Sequence, residues 1–546
     1  MDRKSGVIRG VLTFVAALLI STAADALGAG ATPLSMGPAE RPGHWATAPA
    51  MSEPEVAASL GQAQPNPPEA SRLAGVPNSP LAVADPAAAD PAESNTTEAT
   101  VPTGVAPRVL EPRKAPSSPY KPVFYDNDFR YLEDPRNTEC YFGDLWKRLP
   151  VGQMVLDLGG EYRLRQHNEH ILLRDNDFLL QRTRLYANLE ARPWLRLYGE
   201  AIDATSSYED LPPRAIEENR FDALNLFGDV RLWDGERAKI WLRGGRQELL
   251  YGSERLISPL DWANTRRTFD GVKLFARGER WNIDAFWVRP VPFSQHLGND
   301  HNWDHPDTSQ EFLGVYLTRK GLENQTIDLY YLRLAEYDGR PDFDYHTLGA
   351  RWDGKYCDWL AEAEAGYQLG EFGTQDHSAG FFTIGGGRKL VRLPWNLVFW
   401  AYYDWASGND PTARTHGTFN QLFPFGHRYL GFMDLVGRQN IEDLNFQLTA
   451  APWKPIAFLI WWHIFHLDQA QDALYDPGGA VVRHDPTGTA GTDVGQELDL
   501  LLRWTISPRA EVQFGYSHLF PGDFLLNTPG GAPGRDFYYT QFTARF

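Results

Sequence analysis

The sequence predicts an all-β chain, a transmembrane antiparallel β-barrel of about eighteen strands preceded by a disordered N-terminal region, and three observations predict it. From residue 155 to 546, apolar and polar residues alternate with a period of two in segment after segment. The links between these segments are alternately tight and long. In the last segment, Tyr538, Thr540, Phe542, Ala544 and Phe546 share one face, while Tyr539, Gln541, Thr543 and Arg545 share the other. Such a strand crosses a bilayer only within a closed barrel, because lipid cannot satisfy an open edge. Taken by itself, this last segment leaves an ordinary soluble edge strand equally open.

Residues 1–26 read as a secretory signal. Arg3, Lys4 and Arg9 precede the apolar run 11–20, and Ala24-Asp25-Ala26 offers a small-x-small cleavage site. No later apolar run approaches the length of about 20 residues that a membrane helix needs, which excludes a helical inner-membrane protein. Residues 27–119 are mostly Ala, Pro, Ser and Glu and cannot bury enough apolar surface to offset their ordering entropy, so they read as disordered, a spacer or a segment without specific role. Residues 120–154 are aromatic and charged, punctuated by Pro135 and Pro150, and read as a cap or plug at the periplasmic mouth.

The barrel domain is expected over 155–546. Its strands are expected near 155–166, 179–191, 194–204, 224–233, 238–247, 269–276, 281–289, 311–318 and 326–334, and then near 345–353, 357–369, 377–390, 395–405, 444–451, 456–467, 495–504, 510–520 and 537–546. Tight links fall at Arg192-Pro193, Asp234-Gly235, 277–279, Asp353-Gly354, 452–455 and 507–509. Long ones fall at 167–178, 205–223, 248–268, 290–310, 406–443, 468–494 and 521–536. Short periplasmic turns, long external loops and an even strand number are the pattern of bacterial outer-membrane barrels, not of a soluble sandwich.

Composition agrees. Mean hydropathy is -0.42, as averaging over alternate residues makes it in a barrel. The 18 Trp, 23 Tyr and 30 Phe suit aromatic girdles at both membrane interfaces. A net charge of -18 argues against nucleic acid as a partner. The two cysteines, Cys140 and Cys357, allow at most one bridge, at one end of the barrel, with two free thiols as the simpler reading. The stretch 296–307 (HLGNDHNWDHPD) has the residue types of a metal site, but in an external loop it reads as a solvated polar segment. His463 and His466 point to opposite faces, and no GxSxG elbow appears. Neither a cofactor, a metal nor an enzymatic activity is expected.

By parity the lumen face carries Arg163, Arg165, Arg182, Arg184, Arg196, Arg231, Arg243, Arg351 and Arg503, with Glu200, Asp229, Asp284, Glu497 and Asp499 among them. Gly244-Gly245 suggests a bulge that would re-aim Arg246 into the same set. Two readings stand. Arginine rings on a pore wall favour anionic permeants, or the arginines pair with nearby carboxylates and fill the lumen as salt-bridge ladders.

The stretches LLQRTRLYANLEARPWLRLYGEAIDA (179–204), LRGGRQELLYGSERLISPLDWANTRRTFDGVKL (242–274) and FNQLFPFGHRYLGFMDLVGRQN (419–440), with HIFHLDQAQDALYDPGG after them, resemble the bacterial alginate export porin family. The likeness spans 155–546 and is nearest to alginate-export-domain proteins of planctomycete type. It implies an eighteen-stranded outer-membrane barrel with a basic pore for an acidic polysaccharide. A closing strand ending in Phe likewise resembles the signal that such barrels present to the barrel assembly machinery. The partners so implied are outer-membrane lipid, that machinery, a periplasmic secretion partner, and an anionic polysaccharide or small anionic solute. A general diffusion porin without polysaccharide specificity is the alternative.

Overall fold

The structure, a computed structural model, describes residues 119–546 except 136, 138, 139, 173, 294–302, 340 and 531–533. The expected signal, the Ala/Pro-rich region up to residue 118 and most of the histidine-rich stretch lie outside the described residues. The described residues fall into two units. One is the turn Gly235–Ala238, closed by a hydrogen bond from the Gly235 N–H to the Ala238 carbonyl at 3.0 Å. The other, 119–234 with 239–546, holds the barrel.

Eighteen antiparallel strands form that barrel. They are β1 (Met154–Leu172), β2 (Arg174–Arg192), β3 (Leu195–Ser207), β4 (Asn219–Asp234), β5 (Ala238–Gln247), β6 (Thr268–Gly278), β7 (Trp281–Val291), β8 (Gln310–Leu322) and β9 (Gln325–Glu336). Then follow β10 (Phe343–Tyr356), β11 (Trp359–Phe372), β12 (Gln375–Lys389), β13 (Val398–Ala406), β14 (Ile441–Trp453), β15 (Ile456–His466), β16 (Asp493–Ser507), β17 (Ala510–Pro521) and β18 (Gly534–Arg545). β18 closes on β1 in register pairs running from Glu161↔Arg545 to Leu172↔Gly534. Closure pairs the two edge strands with each other, which is the condition for crossing lipid with strands. Among the described residues, no helix is long and apolar enough to cross a membrane.

The period-two pattern sorts the residues as expected. On β18, Tyr538, Thr540 and Phe542 are exposed on the outer face, while Tyr539, Gln541 and Thr543 are buried on the inner one. Most exposed tryptophans of the described residues, among them Trp194, Trp233, Trp352, Trp359, Trp395, Trp453 and Trp504, lie at the end that carries the short turns, whereas Trp287 lies in mid-strand and Trp303 in a long connection. An amphipathic indole belongs at a membrane–water interface.

Four local expectations change. The expected loop 167–178 is instead ladder, since β1 and β2 pair out to Ile171↔Arg174. Backbone pairing persists there after hydropathy alternation has faded, because beyond the lipid both faces can be polar. The turn expected at Asp353-Gly354 lies inside β10, and the chain reverses at Cys357 and Asp358, with Cys357 at φ 52. The strand expected from Trp395 starts only at Val398, after a single 3-10 turn at Pro394–Asn396. Gly244 and Gly245 pair regularly with Gly228 and Phe227, so no register break occurs there; it falls between Arg231 and Trp233. Gly245 nevertheless has φ 126, which a side chain would strain, and a Cβ there would collide with the Leu226 carbonyl.

The core lies inside the barrel. The connection 248–267 folds inward, burying Leu249, Leu256, Ile257, Leu260 and Trp262. The connection 407–440 joins it through Phe419, Leu422, Phe423, Phe432 and Met433. The two are tied backbone to backbone: the Ser258 N–H donates to the Phe423 carbonyl and the Phe423 N–H to the Leu256 carbonyl, both at 3.0 Å. At the short-turn end, Tyr120, Val123, Phe124, Tyr125, Phe129 and Tyr131 pack against Tyr186, Tyr198 and Phe227 of the inner wall.

Candidate functional site

β1 and β2 run side by side with Arg163 directly opposite Arg182. Two guanidinium groups facing each other in a sheet repel unless something lies between them. Here the inward loop does. Arg163 donates to the carbonyls of Asp261 (2.6 Å), Trp262 (3.1 Å) and Ala263 (2.8 Å). Arg165 donates to Gln541 Oε1 (2.7 Å) and to the Trp262 carbonyl (3.0 Å), and its guanidinium lies 3.3 Å from the centre of the Trp262 ring. Arg182 reaches Glu161 at 2.6 Å and the Asp261 carboxylate at 2.7 Å. Arg184 pairs with Glu200 at 2.7 Å and sits over the Phe124 ring at 3.9 Å. From the loop, Arg266 grips Glu248 and Asp261.

The other predicted positions are further apart. Arg243 makes a two-point bond to Asp229 at 2.7 and 2.9 Å. Arg196 donates to Asn188 Oδ1 at 2.6 Å and to the Tyr125 carbonyl at 2.5 Å. Arg246, turned to the buried side, pairs with Asp270 at 2.8 Å and Asp222 at 3.1 Å. Arg351 pairs with Asp328 at 3.1 Å and Glu362 at 3.2 Å. Arg231 pairs with Asp234 at 2.9 Å beside a turn, and Arg503 stands opposite Gln513 on β17. On the far wall, Glu497 and Asp499 accept the backbone N–H groups of Met433 (2.8 Å) and Phe432 (3.2 Å). Gly431 permits this approach: a Cβ there would meet Glu497 at 2.6 Å.

The inward loop has its own electrostatics. Burial opposes ionisation of Asp261, but Arg266, Arg182 and Arg163 outweigh it and hold the carboxyl below its ordinary value. Burial pushes Glu254 up against the pull of Arg428. It also pushes Arg267 down to about 9, though its Nη1 donates to the carbonyls of Ser258 and Pro424.

Sequence parity found the wall arginines but not their partners. Asp261, Trp262 and Arg266 lie in a connection without periodicity, and nothing in their spacing shows that the loop turns inward. The 120–147 segment also reaches further than its sequence shows. The Tyr125 hydroxyl donates to the Glu248 carbonyl at 2.7 Å, Arg266 donates to the Pro122 carbonyl at 2.9 Å, and Asp144 pairs with Arg509 at 2.6 Å. Cys140 and Cys357 are both free and exposed.

No curated protein matches the chain in sequence. Among solved structures, OccD3 (OpdP) of Pseudomonas aeruginosa aligns with a TM-score of 0.49 at 12% identity, over 72% of this chain and 92% of that one. OccAB1 of Acinetobacter baumannii gives 0.49 at 10%, over 72% and 97%. The outer membrane protein OprD of Pseudomonas aeruginosa gives 0.46 at 11%, over 72% and 93%. The alginate export family model matches residues 154–538, from the start of β1 into β18, and this outer-membrane barrel belongs to the alginate export family.

Proposed function

We propose that the barrel is a non-enzymatic outer-membrane pore that passes an anionic polysaccharide, or another acidic solute, by diffusion past the arginines of β1 and β2. One observation carries the reading. Among the described residues, no carboxylate pairs with Arg163 or Arg165; the partners of these two buried cations are backbone carbonyls, Gln541 and the neighbouring ring of His167. A salt-bridge ladder would have neutralised them. A polyanion's carboxylates would make charge-assisted bonds to the same guanidinium forks, stronger than those of a neutral carbonyl. Such a ligand would compete with 261–263 for the wall and move the loop aside as it enters.

Arg182, Arg184, Arg243, Arg246 and Arg351, each bonded to a carboxylate, favour a second reading in which the charges only fill the lumen and the pore is a general diffusion porin. In both, the 120–154 segment is a cap at the periplasmic mouth, and a periplasmic secretion partner would have to displace it.

Single-channel recording in planar bilayers decides between them. The first reading expects anion selectivity and current block by trigalacturonate but not by maltotriose; equal block by both sugars, or cation selectivity, leaves the general porin.

A further inference from the structure

At the short-turn end, a cavity of about 680 Å³ lies between the segment 123–130 and the inner wall. Trp241 of β5 and Phe275 of β6 line it as partly exposed rings, with planes 9° apart and centroids 6.5 Å apart. They make an aromatic platform of near-parallel rings in a lining of mixed charged and apolar groups. Two cations flank it, with Lys273 Nζ 5.3 Å and the Arg277 guanidinium 4.8 Å from the Phe275 ring centre, and both pair with Asp284. Three polar atoms of the lining are unspent, Nδ2 of Asn127 among them. Nη1 of Arg243, whose side chain is otherwise fixed on Asp229 and almost wholly buried, has no hydrogen-bond partner among the described residues, and neither has Oδ1 of Asn282.

Buried donors are rarely left without an acceptor, so an unspent guanidinium N–H beside an aromatic platform marks a place for a ligand. We propose that this cavity is a subsite for one acidic pyranose unit. The ring's C–H face lies on Trp241 and Phe275, its carboxylate accepts from Arg243 Nη1, and a hydroxyl donates to Asn282 Oδ1. A pyranose offers the two surfaces required, a flat apolar face and a polar edge. The platform alone would suit any sugar; the unspent Arg243 donor, with Lys273 and Arg277 sharing the single Asp284 carboxylate beside it, selects an acidic one. The inference rests on the pore reading above and deepens it, placing a saccharide contact at the end of the barrel opposite the long loops.

Calorimetric titration of the full-length protein in detergent with trigalacturonate tests it, with maltotriose as the neutral probe. Trigalacturonate should bind at least tenfold more tightly than maltotriose. Trp241→Leu and Phe275→Leu should each weaken it about five- to tenfold while the heat-modifiable gel shift of the folded barrel is kept. An unchanged affinity in both leucine variants overturns the subsite, as does equal binding of the two sugars. Saturation-transfer NMR on the unaltered protein needs no variant to fold: transfer concentrated on C–H protons of one pyranose face supports the platform, and uniform transfer overturns it. Titration does not need transport. Binding without conduction in bilayers therefore removes only the pore reading, and conduction without titratable binding removes only the subsite.

Discussion

Arg182 on the barrel wall and Asp261 on the inward loop form an ion pair of 2.7 Å, with side-chain exposures of 0% and 10%. The same nitrogen of Arg182 reaches Glu161 at 2.6 Å, so the loop is held to the wall by buried charge as well as by apolar contact. Removing one partner of a buried pair costs about 3–5 kcal/mol when the other is left uncompensated; Glu161 still balances Arg182 and Glu248 still balances Arg266, so the cost here falls below that range. Asp261→Asn should therefore loosen 248–267: hydrogen exchange of that stretch speeds up and mean single-channel conductance rises. Exchange as slow as in the parent would show that the carbonyl bonds from Arg163 are sufficient.

Acidity should act on the same contact. The folded-state pKa of Asp261 is depressed, so its contribution is complete above the ordinary carboxylate value, about 4, and is lost as pH falls further. Glu254, raised by burial, acts with the opposite sign and is relieved by acid. Protease sensitivity of 248–267 should increase between pH 5 and 3 in the parent. In Asp261→Asn the increase should vanish or reverse; an identical slope would assign the acid response elsewhere.

Selectivity should separate the two kinds of arginine. Arg163→Gln with Arg165→Gln removes two charges that no carboxylate balances and keeps hydrogen-bonding capacity. The reversal potential in a salt gradient should move towards cations, by less at high salt as screening grows, with assembly intact. Arg182→Gln with Arg184→Gln leaves Glu161, Glu200 and Asp261 short of counter-charge and should lower the temperature of the heat-modifiable transition instead. If both pairs change only assembly, the ladder reading holds for all four.

The segment ahead of the barrel should restrict flow. Phe124 and Tyr125 are buried among Tyr186, Tyr198 and Phe227, and truncating a buried aromatic costs about 3–5 kcal/mol. Phe124→Ala with Tyr125→Ala should undock the segment and raise conductance, with the barrel transition unchanged. A parental conductance would place the segment outside the path.

Both thiols are free and exposed. Maleimide labelling of the folded protein without reductant should add two labels, falling to one in Cys357→Ser. Labelling that appears only after reduction would reveal a bridge.

Strand number, parity and all but one of the expected tight links were legible in the sequence because lipid and lumen act on alternate residues of a strand, and that demand is written locally. The outward Leu185 and the inward Arg182 and Arg184 follow from it directly. Strand ends were less legible. At 167–178 the ladder continues past the lipid, where no apolar face is required and alternation carries no signal. The site was half legible: the wall arginines could be read, but their partners could not. Asp261 and Trp262 meet β1 about a hundred residues away in sequence, and a loop's inward turn is set by which buried groups can satisfy its backbone. The sequence by itself determined a closed, aromatic-belted barrel with cations on its inner face. Only the tertiary structure decided which of those cations are neutralised, because a guanidinium's partner depends on the path of a loop that obeys no periodicity.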